Sequence, residues 1–230
     1  MSHDPKHDHS HDHHHGHSHD NHHHDHGHDH HHDHDHQHDH SHDWHSQSYV
    51  SGWIDRDVRR AAERQPILEA LIAAVPFPRD AAIDVLDVGA GGGVVTEVVL
   101  GAFPRARVTL QDFSEKMLER ARARFASQNR ELRYVQGDLH DPVWPKSAGG
   151  PFDLAVSGIA IHNVKDLAAM GACYEAVRSL LKSGGCFLDY DHFDKFGGVP
   201  LHQHSMKVAG FKTVDLVWHK HPTAVLKATA

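Results

Sequence analysis

The sequence has few cysteines and no long apolar segment, and both absences exclude classes of protein. Cys173 and Cys186 are its only cysteines, and they do not form a C-x-x-C pair. Two buried, inert thiols in a reducing compartment are therefore expected. No apolar run is long enough to span a bilayer, and the N-terminus lacks the apolar region of a secretory signal. We expect a cytoplasmic protein that does not enter membranes.

Apolar side chains are nearly absent from residues 1–43, which are rich in histidine and aspartate. Residues 1–45 hold 23 of the 30 histidines, ten aspartates and one lysine, a formal charge of −9 with neutral histidine. Because nothing in such a segment can be buried, residues 1–43 are predicted to form a disordered tail. Imidazole and carboxylate groups bind divalent ions such as Ni and Zn, so the tail is predicted to bind these metals. No individual ligand set can be assigned, and the binding is either a biological function or only a result of composition.

Residues 44–230 are predicted to form one domain, since about 185 residues suffice for a single core. Their net charge is close to zero, because the tail carries the acidic excess. The arginines between positions 56 and 64 alternate with acidic residues, a pattern typical of a solvated helix surface. The sequence has no basic stripe, and a nucleic-acid partner is therefore not expected.

Beyond residue 82, apolar strand patterns alternate with helical ones. Strands are predicted at 82–88, 107–111, 132–136, 152–157, 186–190, 213–218 and 223–228. Helices are predicted at 53–64, 67–75, 94–103, 115–127, 167–181 and 202–209, with a loop at 142–151. This alternation predicts an α/β fold with a mostly parallel, doubly wound sheet. Only residues 220–222 separate the last two strands, which must therefore form an antiparallel hairpin.

Asp87, Gly89, Gly91 and Gly93 form a D-x-G-x-G-x-G pattern between the first strand and the next helix. Glycine at such a turn lets the backbone reverse sharply and lets a ligand approach closely. The dinucleotide pattern G-x-G-x-x-G would require glycine at Val94, so an NAD-dependent oxidoreductase is disfavoured.

Five segments in this order resemble the motifs of small-molecule class I S-adenosylmethionine-dependent methyltransferases. They are residues 85–93, 111–118, 137–138, 152–157 and 181–185, and the resemblance covers roughly residues 83–191. It implies a Rossmann-like fold and S-adenosylmethionine as the cofactor. The residues that it implies for cofactor binding are Asp87, Gly89, Ala90, Gly91, Asp112, Phe113, Asp138 and Leu139.

Two of these acidic residues end strands, where ligands of such sheets bind. Asp112 is placed to accept hydrogen bonds from both ribose hydroxyls of the cofactor, and Asp138 from its adenine amine. Phe113 and Leu139 would contact the base. The alternatives are that Asp112 is a turn residue, that Asp138 caps a helix and that Phe113 belongs to the core.

Methyl transfer needs alignment, exclusion of water and, for some acceptors, a base. His162 follows the fourth strand and His192 the fifth, and these two are the predicted catalytic residues. Asp191, His202 and His204 are further candidates, and His202 and His204 could instead face solvent. His162 could also be purely structural.

The leading hypothesis is therefore a methyltransferase that acts on a small molecule and carries a metal-binding tail. The alternative is a metal-buffering or metal-delivery protein built on a non-catalytic methyltransferase-like domain. A nucleic-acid methyltransferase is disfavoured, because residues 157–160 after the fourth strand contain no N-P-P-[YF] motif.

Overall fold

The structure is a computed structural model that describes residue 46, residues 48–52 and residues 61–230. The predicted tail at 1–43 lies outside the described residues, and so does most of the predicted helix at 53–64.

One seven-stranded sheet forms the centre of the fold. Its strands are β1 (Asp84–Val88), β2 (Arg107–Asp112), β3 (Leu132–Gln136), β4 (Phe152–Gly158), β5 (Leu181–Asp191), β6 (Thr213–Lys220) and β7 (Thr223–Thr229). They lie in the order β3-β2-β1-β4-β5-β7-β6. The first five are parallel, while β7 runs antiparallel to both β5 and β6. The predicted α/β class and the antiparallel C-terminal hairpin are both confirmed.

Helices cover both faces of this sheet. They are α1 (Ala61–Ala73), α2 (Val94–Ala102), α3 (Glu115–Phe125), α4 (Trp144–Ala148), α5 (Leu167–Leu180) and α6 (Val199–Val208). Successive strand residues point to opposite faces, so Val85 packs with α1, α2 and α3, whereas Leu86 packs with α4, α5 and α6. The result is two apolar cores, one on each face, as a doubly wound sheet requires.

Side chains cap two of the helices, as their sequences predict. The hydroxyl of Ser114 accepts a hydrogen bond from the N–H of Met117, and the carboxylate of Asp166 accepts one from Ala169. Each cap satisfies a backbone donor that has no partner within its own helix.

Several predicted boundaries were wrong. The helix predicted to begin at residue 67 begins earlier, because α1 runs from Ala61 through Pro66 and loses only one backbone donor there. The segment 142–151 is not all loop, since the buried Trp144 begins the short helix α4. β5 starts at Leu181 rather than at residue 186, and a register shift opposite Phe152 accommodates the extra residues.

The helix predicted at 202–209 begins earlier, at Val199. Pro200 lies in its first turn, where a missing N–H costs no hydrogen bond. Within the described part of the chain, no helix is both long and apolar enough to cross a membrane.

Candidate active site

The glycine loop, residues 89–93, connects β1 to α2. Gly89 and Gly91 have φ angles of +63° and +54°, which favour glycine. A Cβ atom on Gly89 would lie 2.4 Å from the Cβ of Ala160, just beyond β4. Position 89 therefore requires glycine for its backbone angle and for its contact with the turn after β4.

Asp112 ends β2 with a buried carboxylate that is held by backbone groups. Its Oδ2 accepts the N–H of Gly91 at 2.8 Å, and its Oδ1 accepts the N–H of Ser114 at 2.8 Å. Burial raises the pKa of Asp112, while the hydrogen bonds from Ser114 and Gly91 oppose the shift. The backbone N–H of Phe113 also contributes a hydrogen bond to this carboxylate. Because two carboxylate oxygens offer about four lone-pair sites, capacity for a further hydrogen bond remains. Asp112 is thus a turn residue that can also accept a hydroxyl.

The amide of Gln111 connects the glycine loop to the β3 loop, which comprises residues 137–139. Its Oε1 accepts the N–H of Gly89 at 3.1 Å, and its Nε2 donates to the carbonyl oxygen of Gly137 at 2.6 Å. Gln111 is completely buried. Sequence reasoning missed it, although a lone amide at the end of an apolar strand was a signal.

Asp87 lies inside β1 and holds the start of α2. Its Oδ2 accepts the backbone N–H of Thr96 at 3.1 Å and the hydroxyl of the same residue at 2.6 Å. Its Oδ1 has no hydrogen-bond partner among the described residues. Burial raises the pKa of Asp87 to about 7, and the bonds from Thr96 oppose this shift. Its predicted contact with the cofactor stays a prediction.

The other predicted cofactor residues lie after β2 and β3. The exposed carboxylate of Asp138 accepts the backbone N–H of His140 at 2.9 Å and contacts its ring at 3.0 Å. Leu139 packs partly against the core, and its carbonyl oxygen accepts a weak hydrogen bond from the thiol of Cys173. Phe113 is half-buried. All three belong to the carboxyl edge of the sheet, together with Asp112.

His162 and Asp191 form a hydrogen-bonded pair at the ends of β4 and β5. Nδ1 of His162 lies 2.6 Å from Oδ1 of Asp191, and the backbone N–H of His162 donates to Oδ2 at 3.1 Å. Oδ1 also accepts the N–H of His192 at 2.7 Å. Since an ionised carboxylate only accepts hydrogen bonds, Nδ1 carries the proton and Nε2 is the basic nitrogen of the neutral ring.

A strained residue precedes this pair. Ile159 has a φ angle of +53°, which is unusual for a β-branched side chain. Its N–H donates to the carbonyl oxygen of Tyr190 at 2.9 Å, so pairing with β5 holds the strained turn. The turn brings Ala160 against Gly89 and starts the 3-10 turn Ile161–Val164, which contains His162.

His202 is buried, so it does not face solvent, and both of its ring nitrogens have hydrogen-bond partners. Its Nε2 contacts the carbonyl oxygen of Phe196 at 2.8 Å, and its Nδ1 contacts the hydroxyl of Tyr174 at 2.8 Å. Burial lowers the pKa of His202, which favours the neutral ring. The ring therefore donates to Phe196 and accepts from Tyr174. Phe196 in turn packs against the ring of His162, with 5.2 Å between centroids.

The remaining histidines divide between the site and the surface. The ring of His192 lies 5.7 Å from that of His162, and its Nδ1 is 2.8 Å from the hydroxyl of Thr223. His204 is exposed on α6. The sequence therefore names two histidines, His162 and His192, that the structure brings together.

His219 and His221 contact a residue that sequence reasoning missed. Both rings approach Oδ2 of Asp194, at 2.8 and 2.9 Å, and these contacts lower the pKa of Asp194. The part of the chain that the structure describes contains no group of three or more side chains suited to holding a metal ion.

Comparison with known proteins identifies the class to which this arrangement belongs. Residues 85–185 match the family model of a methyltransferase domain. Residues 85–185 are therefore similar to a methyltransferase domain. The match covers the glycine loop, Asp112, the β3 loop and His162.

Known methyltransferases resemble this domain in sequence and in fold. The malonyl-(acyl-carrier protein) O-methyltransferase of Neorickettsia risticii is 40% identical over 78 residues, which are 34% of this chain and 28% of that relative. An O-methyltransferase family protein from Burkholderia thailandensis superimposes with a TM-score of 0.66 at 16% identity, covering 81% of this chain and 61% of that one. Human N-acetylserotonin methyltransferase, whose structure was solved with S-adenosylmethionine, superimposes with a TM-score of 0.60 at 16% identity. The superposition covers 80% of this chain and 56% of that one. The aligned segment thus spans less than a third of the relative from Neorickettsia.

Proposed function

We propose that this protein transfers the methyl group of S-adenosylmethionine to a small-molecule acceptor. The single observation that carries the proposal is the carboxylate of Asp112. Backbone hydrogen bonds from Gly91, Ser114 and Phe113 hold it beside the glycine loop, and a lone pair remains for a cofactor ribose hydroxyl. When bound, the cofactor supplies an activated methyl group on a sulfonium.

The residues present fit this cofactor. The positive φ angles of Gly89 and Gly91 form a turn without side chains that would keep a ligand from the backbone. Asp138 has an exposed carboxylate for an adenine amine. Leu139 follows Asp138 and Phe113 follows Asp112 in the sequence, and both are proposed contacts for the base. We propose that Asp87 acts mainly by fixing the glycine loop to α2 through Thr96.

The acceptor is proposed to bind above the ends of β4 and β5, against His162 and His192. There Asp191 fixes the tautomer of His162, so that Nε2 can take a proton from an acceptor hydroxyl. The contact between Ala160 and Gly89 supports this placement. Ala160 packs against the glycine loop, and His162 follows Ala160 by two residues in the chain. The ring of Phe196 covers one side of His162 and would limit access of water.

We propose that the tail binds Ni or Zn independently of methyl transfer. Its support is composition alone, since imidazoles alternate with carboxylates throughout residues 1–45. The alternative of a non-catalytic metal carrier requires a domain that has lost its cofactor. The hydrogen bonds around Asp112 and Gln111 argue against such a loss.

Calorimetric titration of the full chain with S-adenosylhomocysteine and, separately, with NAD tests the proposal. We expect saturable binding of S-adenosylhomocysteine and none of NAD. Binding of NAD alone, or of neither compound, would overturn it. Transfer of labelled methyl groups to a library of hydroxylated small molecules then identifies the acceptor.

A further inference from the structure

The side chain of Gln111 is the feature that methyl transfer as proposed does not yet use. β2 lies between β1 and β3 in the sheet, so its last residues stand between the loops that follow those two strands. The amide of Gln111 reaches both loops, at Gly89 on one side and at Gly137 on the other.

The two backbone groups that the amide of Gln111 contacts determine which kind of side chain can bind both of them. The N–H of Gly89 can only donate a hydrogen bond, and the carbonyl of Gly137 can only accept one. A single planar group must therefore present one acceptor and one donor, which an amide does. A leucine would fill the same space but leave both buried backbone groups unpaired. A carboxylate would place an acceptor against the carbonyl of Gly137.

Other hydrogen bonds attach the same loops to β2 without using this side chain. The N–H of Ala90 donates to the backbone oxygen of Gln111 at 2.8 Å, and the N–H of Gly137 donates to that of Asp112 at 3.1 Å. These bonds survive a change of the Gln111 side chain. Replacement of the amide should therefore leave the loops attached to the sheet but free to change their separation.

We infer that Gln111 is a positioning residue that sets the separation of the glycine loop and the β3 loop, and hence the affinity for the cofactor that the two loops hold. The inference rests on the proposed function, since it requires that both loops contact one ligand. The cofactor would bridge the loops from the outside, with its ribose on Asp112 and its base on the β3 loop. The amide bridges them from the inside, through Gly89 and Gly137.

Titration with S-adenosylhomocysteine tests this role in four forms of the full chain: wild type, Gln111→Leu, Gln111→Glu and Gln203→Leu. The amide of Gln203 donates to one carbonyl oxygen, that of Val214 at 3.2 Å, and is half-buried on α6. Gln203→Leu therefore also removes a hydrogen bond between a glutamine side chain and a backbone carbonyl, but it does so away from the two loops. We expect Gln111→Leu to bind at least about tenfold more weakly than wild type and Gln203→Leu to bind equally well.

Gln111→Glu distinguishes hydrogen bonding from packing. A protonated carboxyl presents one acceptor and one donor, as an amide does, whereas the ionised form has no donor. Its affinity relative to wild type should therefore be low near pH 8 and recover near pH 5. Asp87 and Asp112 also titrate beside this position in every form, so the affinity of each variant is compared with that of wild type at the same pH.

The outcomes separate the two proposals. If wild type fails to bind S-adenosylhomocysteine, the proposed function falls and the inference falls with it. If wild type binds and Gln111→Leu binds equally well, only the inference is overturned. It is also overturned if the affinity of Gln111→Glu does not recover at low pH. Should Gln111→Leu not fold, as judged by circular dichroism, the pH profile of Gln111→Glu decides alone.

Discussion

His162 and Asp191 are joined by two hydrogen bonds, one from the imidazole Nδ1 at 2.6 Å and one from the backbone N–H at 3.1 Å. The carboxylate thus fixes both the ring and the residue that carries it. A carboxylate behind an imidazole also stabilises the protonated ring that forms when Nε2 takes a proton. This arrangement is suited to a general base.

We expect His162→Ala to lower methyl transfer by roughly a hundredfold, a typical contribution of a general base. Affinity for S-adenosylhomocysteine should stay unchanged, because the ring is proposed to contact the acceptor and not the cofactor. Turnover with an identified acceptor and a parallel calorimetric titration measure the two quantities.

His204→Ala is the control for this experiment, since His204 is exposed on α6 and should be neutral in both measurements. If His162→Ala loses its fold instead of its turnover, the histidine is structural and the catalytic proposal for it fails.

Asp112→Ala should weaken binding of S-adenosylhomocysteine at least about tenfold, because a hydrogen bond from a ribose hydroxyl to a charged carboxylate contributes on the order of 1.5–3 kcal/mol. The variant should also unfold at a lower denaturant concentration, since the N–H groups of Gly91 and Ser114 lose their partner. Titration and chemical denaturation measure the two effects separately.

Asp166→Ala is the matched variant, because it also removes a carboxylate that accepts a backbone N–H, at the start of α5. It should lose about 1 kcal/mol of stability and no cofactor affinity. Equal cofactor affinity in Asp112→Ala and Asp166→Ala would remove Asp112 from the binding site.

Gly89→Ala and Gly101→Ala should have opposite effects on stability. A Cβ on Gly89 would meet Ala160 at 2.4 Å in a left-handed backbone, so this variant should unfold more readily and bind cofactor poorly. Gly101 is exposed on α2 with no atom near its added Cβ, and alanine there should stabilise the fold by about 0.5–1 kcal/mol. Denaturation curves of the two variants test the pair, and destabilisation by Gly101→Ala would contradict the account.

The arrangement of the proposed cofactor side was largely predictable from the sequence because its signals are local. Asp112 and Asp138 each end a strand, and the glycine pattern after β1 identifies the edge at which they meet. The caps Ser114 and Asp166 follow from the chemistry of helix starts. Their contacts lie within a few residues of each other or follow from the strand order.

The arrangement of the proposed acceptor side was only partly predictable because its contacts depend on register. His162 and Asp191 were separate candidates, and their pairing follows from the alignment of Gly158 with Tyr190 in neighbouring strands. The role of Gln111 depends equally on β2 lying between β1 and β3. Composition and periodicity do not specify such alignments, since tertiary packing selects them.

Asp87 should make the stability of the fold depend on pH. Its pKa is raised by burial from 3.8 to about 7, so the folded state holds the proton more tightly than the unfolded state. This stabilisation is complete below about pH 4 and is lost as the pH rises to about 7. Asp87→Asn cannot ionise, so its stability relative to wild type should rise over that interval, by an amount on the order of 1–4 kcal/mol.

Urea denaturation of wild type and Asp87→Asn at a series of pH values measures this difference. Asp215→Asn, on the exposed face of β6, is the control for removing one carboxylate. A difference between wild type and Asp87→Asn that stays constant with pH would show that Asp87 does not titrate in this range.

Removal of residues 1–43 should leave thermal stability and cofactor affinity unchanged and abolish most binding of Ni or Zn. The tail has no apolar residue other than Met1 and Pro5 with which to dock, and the net charge of the remainder is close to zero. In the full chain, metal binding should weaken as the pH falls through about 6.5, because protonated imidazoles are not ligands. Metal titration of both forms at pH 7.5 and pH 5.5, together with turnover in the presence and absence of Ni, tests this independence. Loss of cofactor binding on truncation, or an effect of Ni on the turnover of the full chain alone, would make the tail a regulatory element.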